Sequence, residues 1–121
     1  MKRTLLTLAA VVEGVTGIAL VAFPLLTLSV LLGIRPGEDG SMVGRIAGVA
    51  LFSLGVACWG ARAQVGSAAV NATLNAMILY NAGAGSLLVA YFVAGKLGGA
   101  IGLVVGILHL AVAVAFAFAR E

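Results

Sequence analysis

Apolar residues fill four long runs of the chain, and the polar positions fall between those runs or stand alone inside them. The first run follows Lys2 and Arg3 and continues to about Phe23. Pro24 then favours a helix start or a kink. A further apolar stretch, PLLTLSVLLGI, follows at once. Leu5 to Ile34 is 30 residues. As one helix that would be roughly 45 Å long, against a hydrocarbon core of about 30 Å. The pattern therefore predicts a spanning helix to about Phe23 and a short interfacial helix from Pro24 to Leu32, with a single tilted, kinked helix as the alternative.

RPGEDGS, Arg35 to Ser41, is the clear polar loop, rich in turn-forming residues. The second span is expected over Met42 to Ala61, with Trp59 and Arg62 marking the water boundary. AQVGSA forms a short turn before a third span from about Val70 to Ala94. GKLGG turns the chain into a fourth span from about Leu97 to Ala119, closed by Arg120 and Glu121. The expected fold is all-α: a four-helix transmembrane bundle with a short interfacial helix between helices one and two, in one domain.

Composition supports a lipid environment. The chain is 63% hydrophobic and 9% charged, where soluble domains carry roughly 25% charged residues. Seven basic against four acidic residues give a net charge of +3. The basic residues sit at segment ends without aromatic interleaving, which argues against nucleic-acid binding. A single cysteine, Cys58, allows no internal disulfide. The basic start and apolar first run fit a signal peptide in outline. No convincing small-x-small cleavage site precedes Pro24, and four spans of similar hydrophobicity argue for retention as a membrane segment. Lys2, Arg3, Arg62 and Arg120 fall on one side, and Arg35, Arg45 and Lys96 on the other. That bias favours both termini in the cytoplasm of a multi-pass cell-membrane protein.

Ionisable groups inside spans face a bundle interior or a wet cavity. Glu13 lies roughly 13 Å into the first helix, and His109 roughly 15 Å from the same edge on the fourth. Tyr80, Asn81 and Asn75 on the third helix bracket that level. Gly98, Gly102, Gly106 and His109 form one stripe, and Gly17 shares a face with Glu13. Gly48 lies on a similar seam of the second helix, where glycine admits a close neighbouring backbone. The expected site is a mid-membrane polar cluster of Glu13, His109, Asn81, Tyr80 and Asn75, with helix packing at Gly17, Gly48, Gly98, Gly102 and Gly106. Arg45 is expected to extend outward to the interface.

One histidine, one cysteine and a glutamate fall short of a zinc site, so no metal is expected. His109 offers one axial haem ligand, which keeps haem as an alternative requiring a second chain. Neither Cys58 nor the serines carry a nucleophile motif.

At VVEGVTGIALVAFPLLTLSVLLG, GRIAGVALFSLGVACWGAR and AMILYNAGAGSLL the chain resembles a group of small bacterial four-helix membrane proteins. The shared features stand here as Glu13, Pro24, Arg45, Gly48, Ala57 to Trp59, Tyr80, Asn81 and His109. The resemblance implies the fold and no activity. In length, helix number and an acid in the first helix the chain is also similar to small multidrug resistance transporters. The aromatic positions of their drug pocket lack counterparts in its first three helices. In layout it is similar to DoxX-type quinone-linked subunits, without a clear match to their charged signature.

These readings lead first to a non-enzymatic structural or accessory membrane subunit. It would work with the bilayer and with a second copy or a partner membrane protein. A small proton-coupled transporter or channel using Glu13 is the alternative. A haem- or quinone-binding redox subunit near His109 is the third.

Overall fold

The structure is a computed structural model that describes residues 1–64 and 66–120. Position 65, within the expected AQVGSA turn, and Glu121 lie outside the described residues. Five helices follow one another: α1 (Lys2–Ala22), α2 (Pro24–Leu32), α3 (Glu38–Ala61), α4 (Ala68–Val93) and α5 (Ala100–Arg120). All but α2 are long and apolar enough to cross a membrane. The protein is an all-α, multi-pass four-helix bundle with one short helix between its first two spans.

The break after α1 has a local cause. Phe23 leaves the helix at φ −134° and ψ 61°, and Pro24 opens α2 as a first-turn proline. The residue before a proline is pushed away from helical geometry, and proline has no N–H to offer the turn behind it. The last carbonyls of α1 therefore need other donors. Arg45 of α3 supplies one, its guanidinium donating to the Val21 carbonyl. A cation there also opposes the negative end of the helix dipole.

Three expected boundaries move. The second span begins at Glu38 rather than Met42. Gly37 is its extended N-cap, and Glu38 and Asp39 occupy the first turn, where the helix dipole favours acids. The third span starts at Ala68, because the Ser67 hydroxyl accepts the Val70 N–H at 3.3 Å. The fourth starts at Ala100 rather than Leu97. Gly98 consequently lies in the connection before α5 and not on its stripe. It packs backbone to backbone against Gly33, the left-handed residue (φ 66°) that closes α2.

Tight packing occurs within two antiparallel pairs, α1 with α3 and α4 with α5. In the first pair Gly17 faces Gly48, and Gly14 faces Gly55. A Cβ added at Gly17 would come within 2.6 Å of both the Gly48 carbonyl oxygen and the Phe52 nitrogen. In the second pair, a Cβ at Gly85 would come 2.8 Å from the Gly106 carbonyl oxygen. Gly102 instead packs beside Leu97 and the end of α2. Short α2 touches α1, α3 and α5 and so links the two pairs at one end. At the other end a cluster that includes Leu6, Leu74, Met77 and Phe116 joins them. Both termini lie at that end, where Lys2 Nζ donates to the Arg120 carbonyl at 3.2 Å. The outer faces carry exposed Leu, Val, Ile and Phe, as a lipid-facing bundle requires.

The seams give a direct stability prediction. Gly48→Val will force α1 and α3 apart and lower stability in detergent by about 1–3 kcal/mol, the usual range for overpacking. Gly83→Ala, where an added Cβ meets nothing within 4 Å, will be neutral or stabilising by up to about 1 kcal/mol. Thermal or denaturant unfolding of the purified variants measures both.

Candidate functional site

The backbones of α1 and α4 stay apart, and side chains span the gap between the two helix pairs. A cavity of about 290 Å³ occupies this gap. Its polar lining is Glu13 and Thr16 from α1, Tyr80 and Asn81 from α4, and His109 from α5. Nearly everything else on its walls is Leu, Val, Met, Ala or Phe, with Leu31 of α2 at one end.

Each polar side chain reaches the cavity through ordinary helical periodicity. Glu13 continues the buried stripe of Leu6, Ala9, Ala10, Gly17 and Leu20 on α1. Asn81 continues Val70, Leu74, Met77 and Gly85 on α4. His109 lies between Gly106 and Ala113 on the inner face of α5. Glu13 is only 5% exposed and Asn81 2%. Tyr80 and His109 are half-buried.

The hydrogen bonds form a chain with a defined direction. The Asn81 Nδ2 amide donates to the Met77 carbonyl at 2.9 Å. Its Oδ1 thereby faces His109 Nδ1, at 2.8 Å. The imidazole's protein partner is thus Asn81 and not Glu13. The Tyr80 ring stands edge-on to the imidazole, with centroids 5.6 Å apart and planes at 89°. Tyr80 lines the cavity together with the Glu13 carboxylate and His109. Cys58 of α3, fully buried, lies within electrostatic range of the same carboxylate.

Glu13, Tyr80, Asn81 and His109, all expected from the sequence, come together here. Asn75 does not. It is exposed, because six residues at about 100° each carry it well away from the face of Asn81. Among the packing glycines, Gly17 and Gly48 form the α1–α3 seam, Gly106 faces Gly85 across the α4–α5 seam, and Gly98 and Gly102 contact the end of α2 or its surroundings. Thr16 is a member that the sequence reading missed. Its spacing of three residues from Glu13 was the available signal.

The cavity is open sideways. Leu8, Val12 and Leu108, each 58% exposed, belong to its lining. The opening therefore lies between α1 and α5, on the surface a bilayer would cover.

Among the described residues no three His, Cys, Asp or Glu side chains gather as a metal site. A cavity of about 290 Å³ suits a small organic molecule better than a porphyrin. Compared with protein families, curated proteins and solved structures, the chain finds no match. Chemically, the site offers a carboxylate, a phenol and an imidazole at one depth, inside apolar walls.

The Asn81 link is testable by substitution. Asn81→Leu will cost about 0.6 kcal/mol, the average for hydrogen bonds inside membrane bundles, with about 1.7 kcal/mol as the upper bound. Asn75→Leu, on the outer face, will change stability by less than about 0.5 kcal/mol, as surface substitutions do. Reversible unfolding in mixed micelles compares the two.

Proposed function

We propose that this protein is a non-enzymatic, multi-pass cell-membrane subunit that holds a small amphipathic molecule between its two helix pairs. The observation that carries the reading is the cavity itself. A well-formed apolar space with a few convergent polar groups is the usual form of a small-molecule site. Its volume, about 290 Å³, is near the lower end of the usual ~300–1,000 Å³. Structural glue alone would favour a closed cluster, because unfilled space between helices forfeits packing contacts.

A second reading is proton-coupled transport at Glu13. The feature favouring it is the division of the bundle into two tight pairs. Small relative movement of the pairs would change access to the carboxylate without breaking either glycine seam. A redox role at His109 finds less support, since the chain's one histidine supplies a single axial ligand and a second would have to come from another chain. In either leading case the basic residues near the two termini favour that end as the cytoplasmic one. The exposed apolar faces leave room for a second copy or a partner helix.

Filling the cavity tests the main reading. Val105→Trp will displace any co-purifying small molecule while the bundle stays folded, and native mass spectrometry will show the lost mass. If wild type and variant carry the same ligand, the cavity does not hold it. Reporter fusions at each terminus will read out together on the cytoplasmic side.

A further inference from the structure

The hydrogen-bond direction at Asn81 determines what the cavity can recognise. With the Asn81 amide nitrogen committed to the Met77 carbonyl, only Oδ1 is left for the imidazole. An oxygen acceptor there places the proton on His109 Nδ1. The other ring nitrogen, Nε2, then carries a lone pair. No fully buried side-chain nitrogen or oxygen lacks a partner among the described residues. Nε2 has no protein partner in the chain of bonds above, so it opens to the cavity that His109 lines.

Glu13 presents the same character. Its side chain lines the cavity, and an ionised carboxylate offers about four acceptor positions. The titratable or charged groups facing it are Cys58 from α3, Tyr80 from α4 and His109 from α5. α2 carries no charged side chain. Arg45 is held at the Val21 carbonyl, beyond Gly17 and Leu20 along α1. The cavity thus offers acceptors at Glu13 and His109, beside the Thr16 and Tyr80 hydroxyls, and no lysine or arginine lines it. A carboxylate in apolar surroundings is costly until a positive charge or several donors meet it.

We propose that the cavity binds a primary or secondary ammonium group carried on an apolar body. One N–H donates to the Glu13 carboxylate and a second to His109 Nε2, while the body lies along the Leu, Val and Phe116 walls. The proposal deepens the ligand-binding reading above and rests on it. Asn81 acts as a positioning residue, because it fixes which imidazole nitrogen faces the ligand.

The full chain, purified in detergent, is titrated with three probes of one shape: 2-phenylethylamine, 2-phenylethanol and trimethyl(2-phenylethyl)ammonium. The first has charge and N–H donors, the second a single uncharged donor, and the third charge without donors. The chain's one histidine makes ¹⁵N-imidazole resonances unambiguous. The ligand-free protein will show the proton on Nδ1 and a bare Nε2, and the amine will shift Nε2. The alcohol and the quaternary cation will each bind roughly 10- to 100-fold more weakly, as loss of a charge-assisted hydrogen bond implies. Glu13→Gln will lose a similar factor for the amine. Asn81→Leu will mix the two tautomers and weaken amine binding.

A proton found on Nε2 in the free protein would overturn the proposal, as would equal binding of the three probes or no binding of the amine. If Glu13→Gln does not fold, the probe series on the wild-type chain still decides. A neutral co-purifying lipid displaced by Val105→Trp, with no response to the amine, sinks this ligand class and leaves the broader reading standing. Ligand insensitive to Val105→Trp sinks the broader reading itself.

Discussion

Contact between backbones at Gly17 and Gly48, and again at Gly85 and Gly106, organises this bundle. In lipid, helices gain little by hiding apolar surface from one another, so close packing must draw them together. Glycine permits that approach where any side chain would intervene. Two such seams make two pairs. Having spent their small-residue faces on α3 and α5, α1 and α4 meet only through side chains. The cavity is the remainder of that arrangement, bounded by α2 at one end and the Leu6–Phe116 cluster at the other.

The polar groups belong to the same logic. Each sits one helical step from a seam or from the cluster: Glu13 beside Gly17, Asn81 beside Gly85, His109 beside Gly106. The stripes that position the pairs thus also carry the acid, the amide and the imidazole to the gap between them. Asn81 ties the site to its own helix through Met77 and to α5 through His109, so its geometry depends on both α4 and the α4–α5 seam.

Much of this was legible from residue order. Pro24 announced the break between α1 and α2, and the periodic glycines announced inward faces. Glu13 and His109 fell at one depth by counting residues. Two of the misplaced boundaries share an ambiguity: Gly37 to Asp39, and Gly98 with Gly99, read as turn chemistry either way. In the first, the Gly37 cap and the two acids serve as the opening of a helix, while the second is held outside α5 by the contact of Gly98 with Gly33. Asn75 was grouped with Asn81 by depth, which ignores rotation about the axis. Thr16 was hidden by its ordinary character. The cavity itself could not be read, because it depends on which helices pair, and all four spans draw on the same small apolar alphabet.

The opening of the cavity lies between Leu8 and Val12 on one side and Leu108 on the other, on the hydrocarbon-facing flank of the bundle. A molecule arriving there comes out of the surrounding acyl chains and not out of water. Its effective concentration at the doorway is set by how strongly it dissolves in oil. Two compounds held equally well inside would then occupy the protein at very different aqueous doses, in proportion to their partition into the bilayer.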